Sequence, residues 1–410
     1  MQRIAILIDL EFTEKSGGHV KFWQRIYESI KNEKLNYKLE FFFLGKANKT
    51  KIINNFISLN FIKPVISSKI LKPIGIDADT TDLAPINPLL FRRLKKFDLI
   101  HTTDQLFTMA KTAKKVSRKF KIPLTTSFHT DTPSYSEFYV KKILSYFPRL
   151  ISNFMISKLK LHKSVKYKQE KKIVDFFKYC KKVMINKSIS FSSYSKDYDP
   201  KKIIYLERGV DKKIFKKRKV DKKKFLKRYN LSVNSKIIFF CGRIHELKGA
   251  LFLAKIHNSL QSKGHNVSTF LAGENLQGDK CKKIGGKNLF ILDYLSEKEI
   301  SIMMNLSDYF IFPSLYETGP QVVLEAKACE SVCIVSPGGG GRQIKKNGED
   351  GIVIDKYDID TWCKKIANLM SNTKTSNLIK KKLKNDNSQK SWKDIYFLQF
   401  DSKWKDLLKA

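Results

Sequence analysis

Paired cysteines, long apolar stretches and acidic residues are what this sequence has least of. Its six cysteines (Cys180, Cys241, Cys281, Cys329, Cys333 and Cys363) contain no Cys-x-x-Cys pair and have no histidine cluster nearby. That spacing argues against a disulfide framework and a zinc site, and fits a reducing cytosol. No apolar run approaches the roughly 20 residues that a bilayer span requires. The opening MQRIAILIDL is interrupted by Asp9 and has no small-residue cleavage pattern, so it reads as a buried strand rather than a secretion signal. Acidic residues number 39 against 79 Lys plus Arg, a formal charge of +40. Such an excess calls for an anionic partner: nucleic acid, anionic lipid or a phosphorylated substrate. Lysine greatly outnumbers arginine, the residue suited to bidentate phosphate reading, which weighs against a dedicated nucleic-acid reader. Abundant Ile, Asn and Phe beside Lys also fit an A/T-rich coding sequence, which accounts for part of the charge.

What is present is a rhythm of short Ile/Val/Phe runs separated by helical patterns. The first half has RIAILID (3–9), KLEFFFL (38–44), FDLIHTT (97–103), PLTTSF (123–128) and KVMIN (182–186). The second has KIIFFCG (236–242), STFLAGE (268–274), NLFIL (288–292), DYFIFPS (308–314) and SVCIVS (331–336). Continuous apolar runs alternating with helices imply parallel strands buried on both faces, hence α/β layers. The series occurs twice, so two doubly wound domains are expected, at 1–190 and 212–385. A polar, serine-rich hinge joins them at 191–211, and an amphipathic helix at 386–410 packs back toward the first domain. In that last segment Trp392, Phe397, Phe400, Trp404 and Leu407 recur at helical spacing. The lysine-rich stretch 211–230 reads as a solvated helix face.

The chemistry concentrates in SLYETGPQVVLEAKACESVCIVSPGGGG (314–341). Glu317 follows a buried strand, at the carboxyl end of a parallel sheet, where open α/β folds bind ligands. Thr318 or Gly319 is the expected cap of a helix running from Gln321 to about Glu330, with Pro320 in its first turn. The amides at its start suit an anion. Glu325, one turn further in, can accept two hydrogen bonds from a ribose. In the run Gly338–Gly341, missing side chains let backbone approach a ligand.

These residues resemble the E-x7-E signature of retaining glycosyltransferases of the GT-B fold, and of glycosyltransferase family 4 in particular. CGRIHELKG (241–249) is similar to that family's G-R-x4-K-G loop, and ERGVD (207–211) to its hinge. SGGHV (16–20) is similar to the glycine loop of the first domain. The segment 97–131 resembles the one ending in the family's histidine, here His129. The resemblance implies an α/β GT-B fold, two Rossmann-like domains facing each other across a cleft. It implies a hexosyltransferase that moves a sugar from a nucleoside-diphosphate-sugar to a glycan or lipid-linked acceptor in cell-envelope synthesis, with retention of configuration. His129, Arg243, Lys248 and Glu317 would be catalytic. Gly17, Gly18, Gly242, Arg243, Lys248, Glu317, Thr318, Gly319, Pro320, Gln321 and Glu325 would bind the donor. No cofactor and no metal are expected. Two departures leave donor identity open. Thr318-Gly319 stands where the family often has Phe-Gly, and Arg342-Gln343 stands where Pro-Glu usually follows the glycines.

Asp77-Ala78-Asp79 and Asp358-Ile359-Asp360 fit D-x-D, a metal motif of another glycosyltransferase fold, but both read as loops. The stretch 141–172 interleaves Lys and Arg with Phe, Leu, Ile and Tyr, as an interfacial helix on an anionic leaflet does. An ordinary lysine-coated helix pair fits it equally. The expectation is a cytoplasmic enzyme, peripheral on the inner face of the plasma membrane, with no nucleic-acid partner. A sugar-nucleotide epimerase of the same fold and a non-enzymatic polyanion or nucleic-acid binder are the alternatives.

Overall fold

A computed structural model describes residues 1–410 except 14–15, 75–78, 187–198, 339 and 410. The chain divides into two units, Met1–Arg208 with Trp392–Ala410, and Gly209–Ser391. Part of the expected hinge, Asp77 with Ala78, and Gly339 lie outside the described residues.

The first unit is built on eight described strands: β1 (Arg3–Glu11), β2 (Lys38–Leu44), β3 (Lys49–Ile52), β4 (Ile57–Ile62), β5 (Leu99–Thr102), β6 (Leu124–Ser127), β7 (Lys182–Ile185) and β8 (Ile203–Tyr205). Their order is β3-β4-β2-β1-β5-β6-β7-β8, parallel except for the edge strand β3. The continuous apolar runs are explained by burial on both faces. Ile4, Ile6 and Ile8 of β1 enter one core while Ala5 and Leu7 enter the other. Leu39, Phe41 and Phe43 of β2 divide from Phe42 and Leu44 in the same way. Helix Gly18–Ile30 and the C-terminal segment cover the first face, and helices Pro88–Leu94, Thr108–Phe120 and Leu161–Tyr179 the second.

The second unit has six described strands: β9 (Lys236–Cys241), β10 (Val267–Ala272), β11 (Leu289–Leu292), β12 (Tyr309–Phe312), β13 (Val332–Val335) and β14 (Ile352–Val353). They are all parallel, in the order β11-β10-β9-β12-β13-β14. Counted from β9 this is 3-2-1-4-5-6, the strand order of dinucleotide-binding sheets. The helix Glu297–Leu306 starts with a capping box between Ser296 and Glu299, a Ser-x-x-Glu written in the sequence.

Several sequence expectations need correction. The stretch read as hinge contributes β8 to the first sheet, paired to β7. Strands β3, β4 and β14 were not anticipated; β3 is polar at three of its four positions and β14 is two residues long. The lysine-rich 211–230 is helical only over Lys222–Arg228, where Asp221 caps the first turn, and Phe215 and Leu226 are buried. The helix expected from Gln321 to about Glu330 ends at Ala328, and its cap is Pro320 rather than Thr318 or Gly319.

The C-terminal segment runs as helix Trp392–Ile395, a π-helical turn Tyr396–Asp401 and helix Ser402–Lys409. The wider turn brings Ile395, Tyr396, Phe400 and Trp404 all inward, while Phe397 and Leu407 are only half-buried. The Tyr37 hydroxyl lies 2.7 Å from that of Tyr396 and also donates to Asp401, and burial raises the phenol pKa of both tyrosines. A segment more than three hundred residues away in sequence thus completes the first core. Trp404→Ala should lower the unfolding free energy by about 3–5 kcal/mol through the cavity it leaves. The exposed Leu398→Ala should change it by less than about 0.5 kcal/mol. Urea unfolding of the two variants checks this.

Candidate active site

In the second sheet the connections leave β9 toward β10 on one side, while β12 pairs on the other. The carboxyl ends of β9 and β12 therefore flank a switch point, where open α/β sheets leave a crevice. Two loops of the sequence motif meet there. The first leaves β9 through Gly242 and Arg243 and forms a short 3-10 turn, Glu246–Lys248. The second leaves β12 through Pro313 and Ser314 to Glu317.

Gly249 holds the first loop against the second. Its φ is +80°, and a Cβ there would lie 2.6 Å from the Pro313 carbonyl oxygen. Only glycine permits both the conformation and the approach. As a result Lys248 Nζ donates to Glu317 Oε1 at 2.5 Å. The Ser314 hydroxyl is 3.2 Å from the same oxygen and 3.0 Å from the Leu247 carbonyl. Arg342 Nη1 donates to the Glu317 carbonyl at 2.9 Å, so a residue that departs from the family pattern buttresses the loop. Arg243 Nε donates to Glu274 Oε2 at 2.9 Å, and Glu274 was not among the expected site residues. Its signal was present, since it closes the strand beside β9.

The helix Gln321–Ala328 begins after Pro320 with no side-chain cap. Its first amides are therefore a ready anion site. Thr318, Gly319 and Pro320 are buried beneath this start, and Glu325 is only 3% exposed. The Gln321 side-chain amide donates to the Gly209 carbonyl at 2.7 Å, so it anchors the incoming chain. The glycine run has a packing role as well. A Cβ on Gly338 would lie 2.3 Å from the Leu315 carbonyl oxygen, and one on Gly340 would lie 2.5 Å from the Val335 side chain. These glycines are required by internal packing. Behind them Lys327 Nζ pairs with Asp350 at 2.5 Å and donates to the Gln343 carbonyl, pinning the loop. Asp358 accepts from the amide and hydroxyl of Thr361 and so caps the helix Ile359–Ser371, which explains the second D-x-D.

The first unit carries its own constellation at the fork between β1 and β5. Gly17 caps the helix Gly18–Ile30 without a side-chain bond, and a Cβ there would meet the Asp79 carboxylate at 3.3 Å. His19, the residue after the two glycines, lies 2.7 Å from the Thr103 hydroxyl and stacks on His129, ring centroids 4.6 Å apart. His129 Nε2 is 2.8 Å from the Ser127 hydroxyl, which His101 also contacts at 2.9 Å. The guanidinium of Arg208 sits 5.5 Å over the Phe22 ring. His19 and Arg208 stand inside the sequence motifs without an expected role, and His101 was missed; its partners are Thr125 and Ser127 on the next strand and the rings of Trp23, Phe400 and Trp404.

Burial, then the charge of Arg208, lowers His19 to about 3, and burial, then the neighbouring His19 and Arg208, lowers His129 well below its ordinary range. Burial alone lowers His101 to about 3. All three rings are neutral at neutral pH. The unfolded chain titrates them near 6.5 and so takes up protons before the folded chain does. Stability is therefore lost as pH falls below about 6.5, by up to about 1.4 kcal/mol per histidine per pH unit. Asp9 and Asp104 oppose this. Burial raises both, so the folded state binds a proton on Asp104 more tightly between 3.8 and about 6, and one on Asp9 more tightly from 3.8 upward. Three groups outweigh two. The thermal midpoint should fall between about pH 7 and about pH 5, and calorimetry across that interval checks it. A flat or rising midpoint contradicts it.

Residues 221–386 match the family described as glycosyl transferases group 1. The chain is 31% identical over 201 residues to the UDP-Gal:alpha-D-GlcNAc-diphosphoundecaprenol alpha-1,3-galactosyltransferase of Escherichia coli, covering 46% of this chain and 50% of that one. It is 28% identical over 180 residues to the capsular polysaccharide biosynthesis glycosyltransferase CapM of Staphylococcus aureus, covering 41% and 47%. The chain thus spans about half the length or less of these curated relatives. Among solved structures it is similar to Anabaena HepE in complex with UDP and glucose, with a TM-score of 0.66 and 14% identity over 100% of both chains. A glycosyltransferase from Rickettsia africae gives a TM-score of 0.65 at 16% identity, over 100% of this chain and 99% of that one. Residues 221–386 of the second unit are thus similar to the glycosyl transferases group 1 family, and the chain has the two-domain GT-B fold.

Proposed function

We propose that the protein is a glycosyltransferase that moves a sugar from a nucleoside-diphosphate-sugar to a glycan or lipid-linked acceptor of the cell envelope, with retention of anomeric configuration and without a metal ion. The observation that carries this reading is the joining of Lys248 and Glu317 at the switch point, beside Arg243 and an uncapped helix start. Breaking a glycosyl–phosphate bond builds negative charge on the departing diphosphate. Fixed cations and oriented amides stabilise such charge without reorganising. Arg243, Lys248 and the amides of Gln321 onward supply that environment, while Glu317 takes sugar hydroxyls and Glu325 the ribose hydroxyls.

In the reaction the acceptor hydroxyl oxygen bonds to the anomeric carbon. The bond from that carbon to the diphosphate oxygen breaks, its electron pair leaves with the diphosphate, and the hydroxyl proton passes to the same departing group. His129 is neutral, so it acts through a hydrogen bond rather than as a cation. The relatives' printed roles support the substrate class: a diphosphoundecaprenol-linked acceptor in one and capsular polysaccharide synthesis in another. The UDP bound by Anabaena HepE supports the donor class. The epimerase and polyanion-binder alternatives are not favoured, because neither accounts for a match to a transferase family over 221–386.

One nucleoside diphosphate from a panel should raise the thermal midpoint of the wild type, with chelator present or absent. Lys248→Ala should weaken that binding by about tenfold to a hundredfold, the worth of one charge-assisted hydrogen bond. A response that disappears with chelator would overturn metal independence. No response to any nucleotide would overturn the reading as an active transferase.

A further inference from the structure

The first unit carries a helical hairpin whose second helix covers the sheet through Ile173, Phe176 and Phe177 near its end. Helices Thr132–Leu144 and Leu161–Tyr179 pack against each other, tied by Lys166 Nζ to Glu137 at 2.8 Å. Between them lies a tip made of helix Arg149–Asn153 and a π-helical turn, Phe154–Lys158. Elsewhere in the unit large apolar side chains are mostly buried. At the tip they are not: Leu150 is 85% and Tyr146 64% exposed, and Phe147, Ile151, Phe154 and Leu159 are half exposed. Six large apolar side chains within fourteen consecutive residues form a patch that water does not favour.

The surrounding charge identifies what covers it. Residues 141–169 contain eight Lys or Arg and no Asp or Glu. A second copy would set this positive surface against itself, since a two-fold interface is self-complementary only when its charges balance. A nucleic acid would use the lysines but leave Leu150 and Ile151 in water. A bilayer surface with anionic headgroups satisfies both chemistries at once. Apolar and aromatic side chains enter the headgroup–acyl boundary, and flanking lysines meet the phosphates. Among the described residues no helix is long and apolar enough to cross a membrane, so the contact is peripheral.

We propose that the hairpin tip 145–161 is a docking surface for an anionic lipid bilayer. The inference stands on this patch and does not depend on the proposed transfer reaction.

Flotation of the full chain with vesicles tests it, using phosphatidylcholine alone and phosphatidylcholine mixed with phosphatidylglycerol. The wild type should float with the mixed vesicles, less so as salt is raised, and poorly with phosphatidylcholine alone. The double variant Leu150→Glu/Phe154→Glu should lose binding by on the order of tenfold or more. Both side chains are exposed, so its thermal midpoint and its nucleotide response should match the wild type, separating lost docking from lost folding. Arg149→Gln with Lys160→Gln should weaken binding and flatten the salt dependence. Failure of the wild type to bind mixed vesicles overturns the proposal, as does equal binding by the double variant. A concentration-dependent dimer in size-exclusion chromatography that the double variant abolishes would assign the patch to a second copy, which also overturns it.

Discussion

The second unit depends on the fork between β9 and β12. Parallel strands need crossovers, and where successive crossovers run in opposite directions no connection covers the strand ends between them. Everything at the candidate donor site is hung from those two ends. Gly249 has to be glycine because the Pro313 carbonyl is already there, and that contact fixes how far Lys248 stands from Glu317. The pair is partly shielded, its side chains 22% and 14% exposed, so attraction and hydrogen bonding count for more than at an open surface.

Farther back, the buried Lys327–Asp350 pair does the opposite kind of work. Both partners are almost inaccessible, and Asp350 also accepts from the amides of Lys345 and Lys346. Every strong acceptor there is satisfied from within, so the loop after the glycines is held in one shape. The first unit solves a related problem without ions. His19, His101 and His129 are held by hydroxyls of Thr103, Thr125 and Ser127 at the strand ends, and burial keeps them uncharged.

The positive charge is not spread with one meaning. Most lysines coat helices whose other face is buried, as in Thr108–Phe120 and Thr373–Lys384. Around the tip after Leu144, lysines surround exposed large apolar side chains without an intervening acid. Charge counting over the whole chain gives the same +40 to both situations.

Strand positions, two α/β units and the motif loops were legible in the sequence because burial on both faces writes continuous apolar runs, and because glycine spacing records where backbone passes backbone. The short or polar strands β3, β8 and β14 were not, since their hydrogen bonds come from neighbours that no local pattern reveals. Residue identity determined that a carboxylate, a lysine and an arginine would stand on loops after strands. Only the tertiary structure decided that Lys248 meets Glu317, that Gly338 serves packing and that His19 joins His129. Those outcomes rest on contacts between residues tens to hundreds of positions apart, and the energy of such contacts depends on distances that a linear sequence does not contain.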